Sequence, residues 1–306
     1  MPLRIATFNL KDFFLARNEA ETDVVEGKVA NIAQNLRRAD ADVVALQEVG
    51  SMDLLDRLLG TELASLGYGA PVAGTEDKRG IRCVILTRLP VLWSQVHAPK
   101  HLAFPHFLDG DPDPFDGRIP LRRGVVHVRF DAGPLGEVDV ITAHFKSKLG
   151  VPVKTHDGVE LPDPSLRGRG EAAIRSFVQR AAEALFIRGL VDDVFRALPD
   201  HAVVVTGDLN DGVHSLPVRI VRGLGEPSPS ILRPATELVP PERRFTTFHG
   251  GFPSLIDHVL VSERLFRHVQ GVSIFNEALR DHGPHTDDAP LAEDSDHALV
   301  TVTFDV

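Results

Sequence analysis

The sequence predicts a layered α+β domain, and three observations carry that reading. Short apolar runs recur at 3–9, 42–46, 81–86, 124–130, 137–145, 202–206, 255–261, 271–275 and 298–305. They outnumber the helical patterns, and several follow one another with no helix between. That order suits segregated sheet and helix layers better than a regular parallel βαβ chain. The 306 residues contain no internal repeat and no clear linker, so a single domain spanning 1–306 is expected.

The elements follow in chain order. "MPLRIATFNLKDFF" lacks a long apolar segment and a small-residue cleavage site, so it reads as a first strand rather than a signal peptide. In "TDVVEGKVANIAQNLRRAD", Val25, Val29, Ile32 and Leu36 recur at helical spacing behind a cap at Thr22 or Asp23. "DVVALQEV" is a strand, and 53–66 reads as a second helix. "IRCVILT" is a strand in which Cys83 packs; as the sole cysteine it makes an internal disulfide impossible. Residues 97–123, with "FPHFLDGDPDPFDGRIP", resist assignment, as do the Pro- and Gly-rich residues 223–253. Between them lie a long helix over 170–197 and the strand 202–206. On that helix Ile174, Phe177, Val178, Ala181 and Leu185 share one apolar face.

Composition narrows the class. Hydrophobic residues make up 43 % and charged residues 25 %, ordinary for a soluble globular chain. Aromatics are only 6 %, so aliphatic packing must build the core. No run approaches the roughly 20 apolar residues of a membrane span, so no membrane partner is expected. The expected location is cytoplasmic, or secreted or periplasmic if a leader has been removed. The net charge of −10 argues against broad, metal-free adhesion to nucleic acid, since phosphates need Lys and Arg. Residues 141–180 run against that trend, with seven Lys or Arg and four acids, a local balance of +3.

The chemistry gathers at strand ends. "IATFNL" closes on Asn9, "DVVALQEV" on Glu48, "VDVITAHFKSK" on His144, Lys146 and Lys148, and "VVVTGDLND" on Asp208 and Asn210. "SLIDHVLVS" carries Asp257 inside an apolar run, and "EDSDHALVTVTF" sets Asp296 and His297 before the last strand. A lone Asp or Asn after a strand is an ordinary turn former. Six such placements in one chain are more than turn chemistry requires. A buried charge is costly unless paired or metal-bound, so Asp257 asks for a partner, and histidine is the natural one.

The ordered set "TFNL", "LQEV", "TAHFKSK", "GDLND", "LIDHVL" and "SDHALV" resembles the endonuclease/exonuclease/phosphatase, or DNase I-like, superfamily over nearly the whole chain. "QE" and "DH" are common, but "GDLN" followed by a late "SDH" is specific. The resemblance implies a four-layer αββα sandwich of two mainly antiparallel sheets. It also implies Mg²⁺ or Mn²⁺, for which hard oxygen ligands are suited. Glu48 would be the metal ligand, with Asn9 and Asp296 completing or supporting the site. His297 would act as general base or orient the phosphate, with Asp257 fixing its tautomer. His144 would donate a proton to the leaving oxygen or bond a phosphate oxygen. Asp208 would position or deprotonate the attacking water, and Asn210 would bond phosphoryl oxygens. Whether Asp208 or His297 is the base stays open. Lys146 and Lys148, two residues apart, would share a face with His144 in a continuing strand and meet substrate phosphates.

"HFKSK" followed by "RGEAAIRSFVQRAAEAL" looks most like bacterial nucleases of the family, so a metal-dependent nuclease acting on DNA is expected, with no obligate protein partner. The rivals are a phosphatase or phosphodiesterase on inositol phosphates, phospholipids or small phosphoesters, and a catalytically dead binding scaffold. A lipid-docking member would want an exposed aromatic hairpin, for which "FPHFL" at 104–108 is the one candidate. A scaffold would have lost some of Glu48, His144, Asp208, Asn210, Asp257 and His297; all are present.

Overall fold

The computed structural model describes residues 2–226, 228–282 and 291–305. The stretch "DHGPHTDDAPLAEDSDH", whose composition reads as a solvated loop leading to Asp296 and His297, falls partly outside them. In chain order the elements begin β1 (Leu3–Phe13), α1 (Thr22–Ala39), β2 (Val43–Val49), α2 (Met52–Gly60), β3 (Val72–Ala73), β4 (Arg82–Thr87) and β5 (Val91–His97). They continue with β6 (Val125–Asp131), β7 (Glu137–Thr142), β8 (Val153–Lys154), β9 (Glu160–Leu161), α3 (Leu166–Ala197) and β10 (Ala202–Asp208). The last part holds α4 (Leu216–Arg222), β11 (Leu232–Pro234), β12 (Thr247–His249), β13 (Phe252–Ser254), β14 (Asp257–Ser262), α5 (Glu263–Phe266), β15 (Val269–Ile274) and β16 (Val300–Phe304).

Two six-stranded sheets stack face to face. Their strand orders are β15-β16-β1-β2-β4-β3 and β11-β14-β10-β7-β6-β5. The alternation of side chains along each strand assigns the layers. Ile5, Val43, Val140 and Val204 point into the core between the sheets. Their neighbours Ala6 and Val44 face α1 and α2, against Ile32, Leu36 and Leu54. On the other side Ile141, Val203 and Val205 meet Ala184, Ile187 and Val191 of α3 and Val218 of α4. The layers are therefore α, β, β, α. Strands covered on both faces must be apolar throughout, which is why they read as continuous runs rather than alternating ones.

The sheets are mixed, each with one parallel pair at its centre: β1 with β2, and β7 with β10. An antiparallel neighbour flanks each pair, β16 beside β1 and β14 beside β10. Two parallel strands end at the same rim where their antiparallel neighbour begins. Each sheet thus delivers three segments to one edge: Asn9, where regular β1–β2 pairing stops inside β1, Glu48 and Asp296–His297 from the first, and His144, Asp208 and Asp257 from the second.

Several boundaries differ from the sequence reading. β7 stops at Thr142 and does not run on to Lys148. α3 starts at Leu166, capped by the Ser165 side chain. The stripe assigned as its packing face is partly wet: Ile174 is 63 %, Leu185 40 % and Phe177 38 % exposed. The buried face is instead carried by Ala182, Ala184, Ile187 and Val191 with the polar Gln179, Arg180, Glu183 and Arg188. Cys83 is fully buried in β4, as expected. Among the described residues no helix is long and apolar enough to cross a membrane.

Candidate active site

One atom, Asp208 Oδ2, is the hub of the rim. It accepts hydrogen bonds from Asn9 Nδ2 at 3.0 Å and Asn210 Nδ2 at 3.2 Å. His144 Nε2 lies 3.4 Å away and His297 Nε2 3.9 Å away. Glu48 Oε1 is 3.9 Å from the same His144 nitrogen. The sequence-selected residues Asn9, Glu48, His144, Asp208, Asn210, Asp257, Asp296 and His297 therefore form one cluster drawn from both sheets.

Local backbone conformation explains how strand ends present these groups. Glu48 and Asn210 hold left-handed backbones, with φ of 59° and 52°. Lys11 and Asp12, at 49° and 52°, sit where the β1–β2 register shifts between Asn9 and Phe13. Such conformations cost roughly 1–3 kcal/mol each in non-glycine residues and persist where surrounding contacts enforce them. Here the contacts are visible: Asp12 N donates to Glu48 Oε2 at 3.0 Å, and Asn210 N to Asp208 Oδ1 at 2.8 Å. Asp12 is also ion-paired to Arg79.

The second histidine is held as a pair. His297 Nδ1 lies 2.8 Å from Asp257 Oδ2, and both residues are buried. Burial opposes the imidazolium, but the Asp257, Asp208 and Asp296 carboxylates outweigh it and raise the His297 pKa well above 6.5. Asp208 is pushed up to about 7, first by burial and then by the Asp257 charge. His144 moves the opposite way: burial and the nearby Arg123 cation drive its pKa well below 6.5. At neutral pH the rim holds a charged His297, a neutral His144 and a carboxyl near its titration point.

The other expected residues are more tied up. Asp296 Oδ2 accepts from Lys11 Nζ at 3.0 Å. Lys146 is buried, and its ammonium donates to Ser147 O, Ser147 Oγ and Leu149 O, each at 2.9 Å. Lys148 is half exposed and paired with Asp211 at 3.1 Å. The expected alignment of both lysines with His144 on one strand face is absent, because the strand ends first. His258 Nε2 lies 2.8 Å from the Asp211 carbonyl, away from the cluster.

Three residues of the rim were given no role from sequence: Arg123, Asp77 and Lys11. Arg123 donates to the carbonyl of His144 and is paired with Asp77 at 2.9 Å. Lys11 reaches Asp296 from the β1 bulge. Nothing in "LRRG" or "NLKD" separates these cations from solvated ones, since their partners lie far away in sequence.

The donor set suits a hard cation. Asp208, Asp257 and His297 offer ligand atoms within 4.8 Å of one another, all buried. Asp257 Oδ1 is buried with no hydrogen-bond partner among the described residues. A buried carboxylate oxygen of that kind is costly unless a cation or water meets it.

A strand-end cluster of acids, amides and imidazoles on an αββα sandwich defines a DNase I-like phosphoesterase architecture. The chain matches the Endonuclease/Exonuclease/phosphatase family over residues 6–297 and belongs to it. Members of this family are hydrolases acting on phosphoesters, typically with divalent metals. Similar solved structures include truncated TDP2 from Caenorhabditis elegans, at 15 % identity and TM-score 0.60, covering 100 % of this chain and 98 % of that one. An AP endonuclease from Archaeoglobus fulgidus is 14 % identical with TM-score 0.57, covering 99 % and 100 %. A D. rerio TDP2 complexed with a single-strand DNA product is 15 % identical with TM-score 0.58, covering 100 % and 99 %. No curated protein matches the chain by sequence.

Proposed function

We propose that this protein is a metal-dependent phosphodiester hydrolase acting on DNA. The observation that carries the reading is the convergence of six segments, three from each sheet, on one rim with Asp208 at its centre. A nucleic-acid substrate is supported by the similar TDP2 structure that holds single-stranded DNA. The net charge of −10 adds that a cation must help the chain meet a polyanion.

Glu48 is the proposed metal ligand, supported by Asn9 and Asp296. A bound Mg²⁺ or Mn²⁺ would polarise the phosphoryl group and offset charge on the leaving oxygen. His297, fixed by Asp257, places a cation against a phosphoryl oxygen. Asp208, near its titration point, can take a proton from the attacking water, and this favours it over His297 as base. His144, neutral, offers Nε2–H as a hydrogen-bond donor to the phosphate or leaving oxygen. Asn210 spends its amide N–H groups on Asp208 Oδ2 and Phe145 O, so it acts by holding the base. Lys146 and Lys148 remain the proposed basic margin of the site, Lys148 being the more accessible.

The test is cleavage of supercoiled plasmid, linear duplex, single-stranded DNA and RNA with Mg²⁺, Mn²⁺ or EDTA, with His297→Ala as control. Metal-dependent cutting of DNA, lost in the variant by about 10²-fold or more, is the expected result. No cutting of any polymer sinks the nuclease reading, and phosphate release from inositol phosphates and phospholipids becomes the next assay.

A further inference from the structure

The turn that carries His144 has its backbone polar groups tied to distant parts of the chain. Arg123 Nη1 donates to the His144 carbonyl at 3.0 Å and to the Phe145 carbonyl at 3.3 Å. Asn210 Nδ2 donates to the Phe145 carbonyl at 3.0 Å. Phe145 N–H donates to Asp208 O at 3.0 Å, and Lys146 N–H to Glu183 Oε2 at 2.8 Å. Arg123 is itself fixed by Asp77, whose Oδ2 accepts from Nε at 2.9 Å; the two side chains are only 7 % and 10 % exposed.

The His144 ring is met on one side only, where Asp208 Oδ2 lies 3.4 Å from Nε2. Its Nδ1 is buried without a hydrogen-bond partner among the described residues. His297 is the contrast, because Asp257 holds its Nδ1 directly. Since no carboxylate holds its Nδ1, the ring depends on its backbone for its placement, and the charged group on the His144 carbonyl is Arg123.

We propose that Arg123, locked by Asp77, is a positioning residue that aims His144 at the reacting phosphate by clamping its carbonyl. The role rests on the phosphodiesterase reading above. A guanidinium suits the task, because one planar fork can meet a carboxylate and two successive carbonyls at fixed angles. An ammonium is a single point charge and cannot span all three. With Nε and Nη1 committed and the residue nearly buried, Arg123 acts on the turn rather than as a free phosphate contact.

The test is a double-mutant cycle between Arg123→Lys and His144→Ala. It is read on a single-stranded oligonucleotide and on bis(para-nitrophenyl) phosphate, which has no second phosphate to grip. Arg123→Lys should lower kcat about tenfold or more on both substrates, with KM changed less than about twofold. In the His144→Ala background the same change should have no further effect, because the residue it acts through is gone. Asp77→Asn should repeat the pattern more weakly, and it serves the same cycle if Arg123→Lys unfolds. Equal losses in both backgrounds would overturn the proposal in favour of general support of the fold. A loss confined to KM on the oligonucleotide would overturn it in favour of phosphate binding. Wild-type turnover of the small diester but not the oligonucleotide would sink the DNA reading and leave the cycle readable. Turnover of neither would overturn both.

Discussion

Asp257 is the residue on which burial and charge conflict most directly. It is fully buried, and among the described residues the one hydrogen-bond partner of its carboxylate is His297. Removing one member of a buried ion pair typically costs about 3–5 kcal/mol, because the other charge is stranded. Asp257→Asn should therefore lower the melting temperature as well as the activity. The sign with pH follows from the raised His297 pKa. A group bound more tightly to its proton in the folded state stabilises fully below its unfolded value of 6.5, and that contribution fades as pH rises through the folded value. The stability gap between wild type and Asp257→Asn should thus be widest below pH 6.5 and shrink as pH rises above it. Melting curves across that range check it, and a gap that widens with pH would show that His297 is not the cation of the pair.

At the scale of elements, β10 is the strand on which the rest of the site depends. It lies between β7 and β14, and its last residues, Gly207 and Asp208, cross the rim. Gly207 has φ of 131°, and a Cβ there would sit 2.1 Å from the Ala143 carbonyl oxygen. Only glycine lets β10 pass the chain carrying His144 this closely. Gly207→Ala should cost about 3 kcal/mol or more, from steric overlap and backbone strain together. It should also displace Asp208 from His144. Denaturant melts and activity of the same variant test this, and a fully active, equally stable Gly207→Ala would refute it. "VVVTGDLND" announced the strand and its polar end plainly, but the glycine's role depends on Ala143, which is far off in sequence. The same limit explains the other differences. The central strands were legible because burial on both faces leaves unbroken apolar runs. Edge strand β5 was not, since Val91, Leu92 and Trp93 lie half exposed and look like loop. The α3 stripe misled because its spacing records amphipathicity, whereas the inward face carries Arg180, paired with the distant Asp211, and Glu183, which accepts from Lys146 N and Gln179 Nε2. The eight clustered candidate residues were legible because each lies at or beside an apolar run; no role could be read for Arg123, Asp77 and Lys11, because their partners are tertiary.

At the scale of the whole molecule, the site is also the seam between the sheets. Asn9 from the first sheet bonds Asp208 of the second. Just beneath, Gln47 accepts from Thr7 and donates to Thr142, each at 3.2 Å, crossing the same gap. The core below draws Ile5, Val43 and Val302 from one sheet and Val128, Val140 and Val204 from the other. Neither sheet can separate without exposing that shared core and breaking the cluster. The chain should therefore unfold as one unit, although cooperative two-state behaviour becomes less common above about 150 residues. Two built-in reporters make this measurable. Trp93, edge-on to the His127 ring at 4.8 Å, sits on β5 of the second sheet. Cys83, the only cysteine, is fully buried on β4 of the first. Tryptophan fluorescence and thiol labelling, followed through one denaturant series, should share a midpoint. Labelling of Cys83 at clearly lower denaturant than the Trp93 transition would show the first sheet opening alone. The seam would then be an interface between two units, and the strand-end cluster would assemble only when they dock.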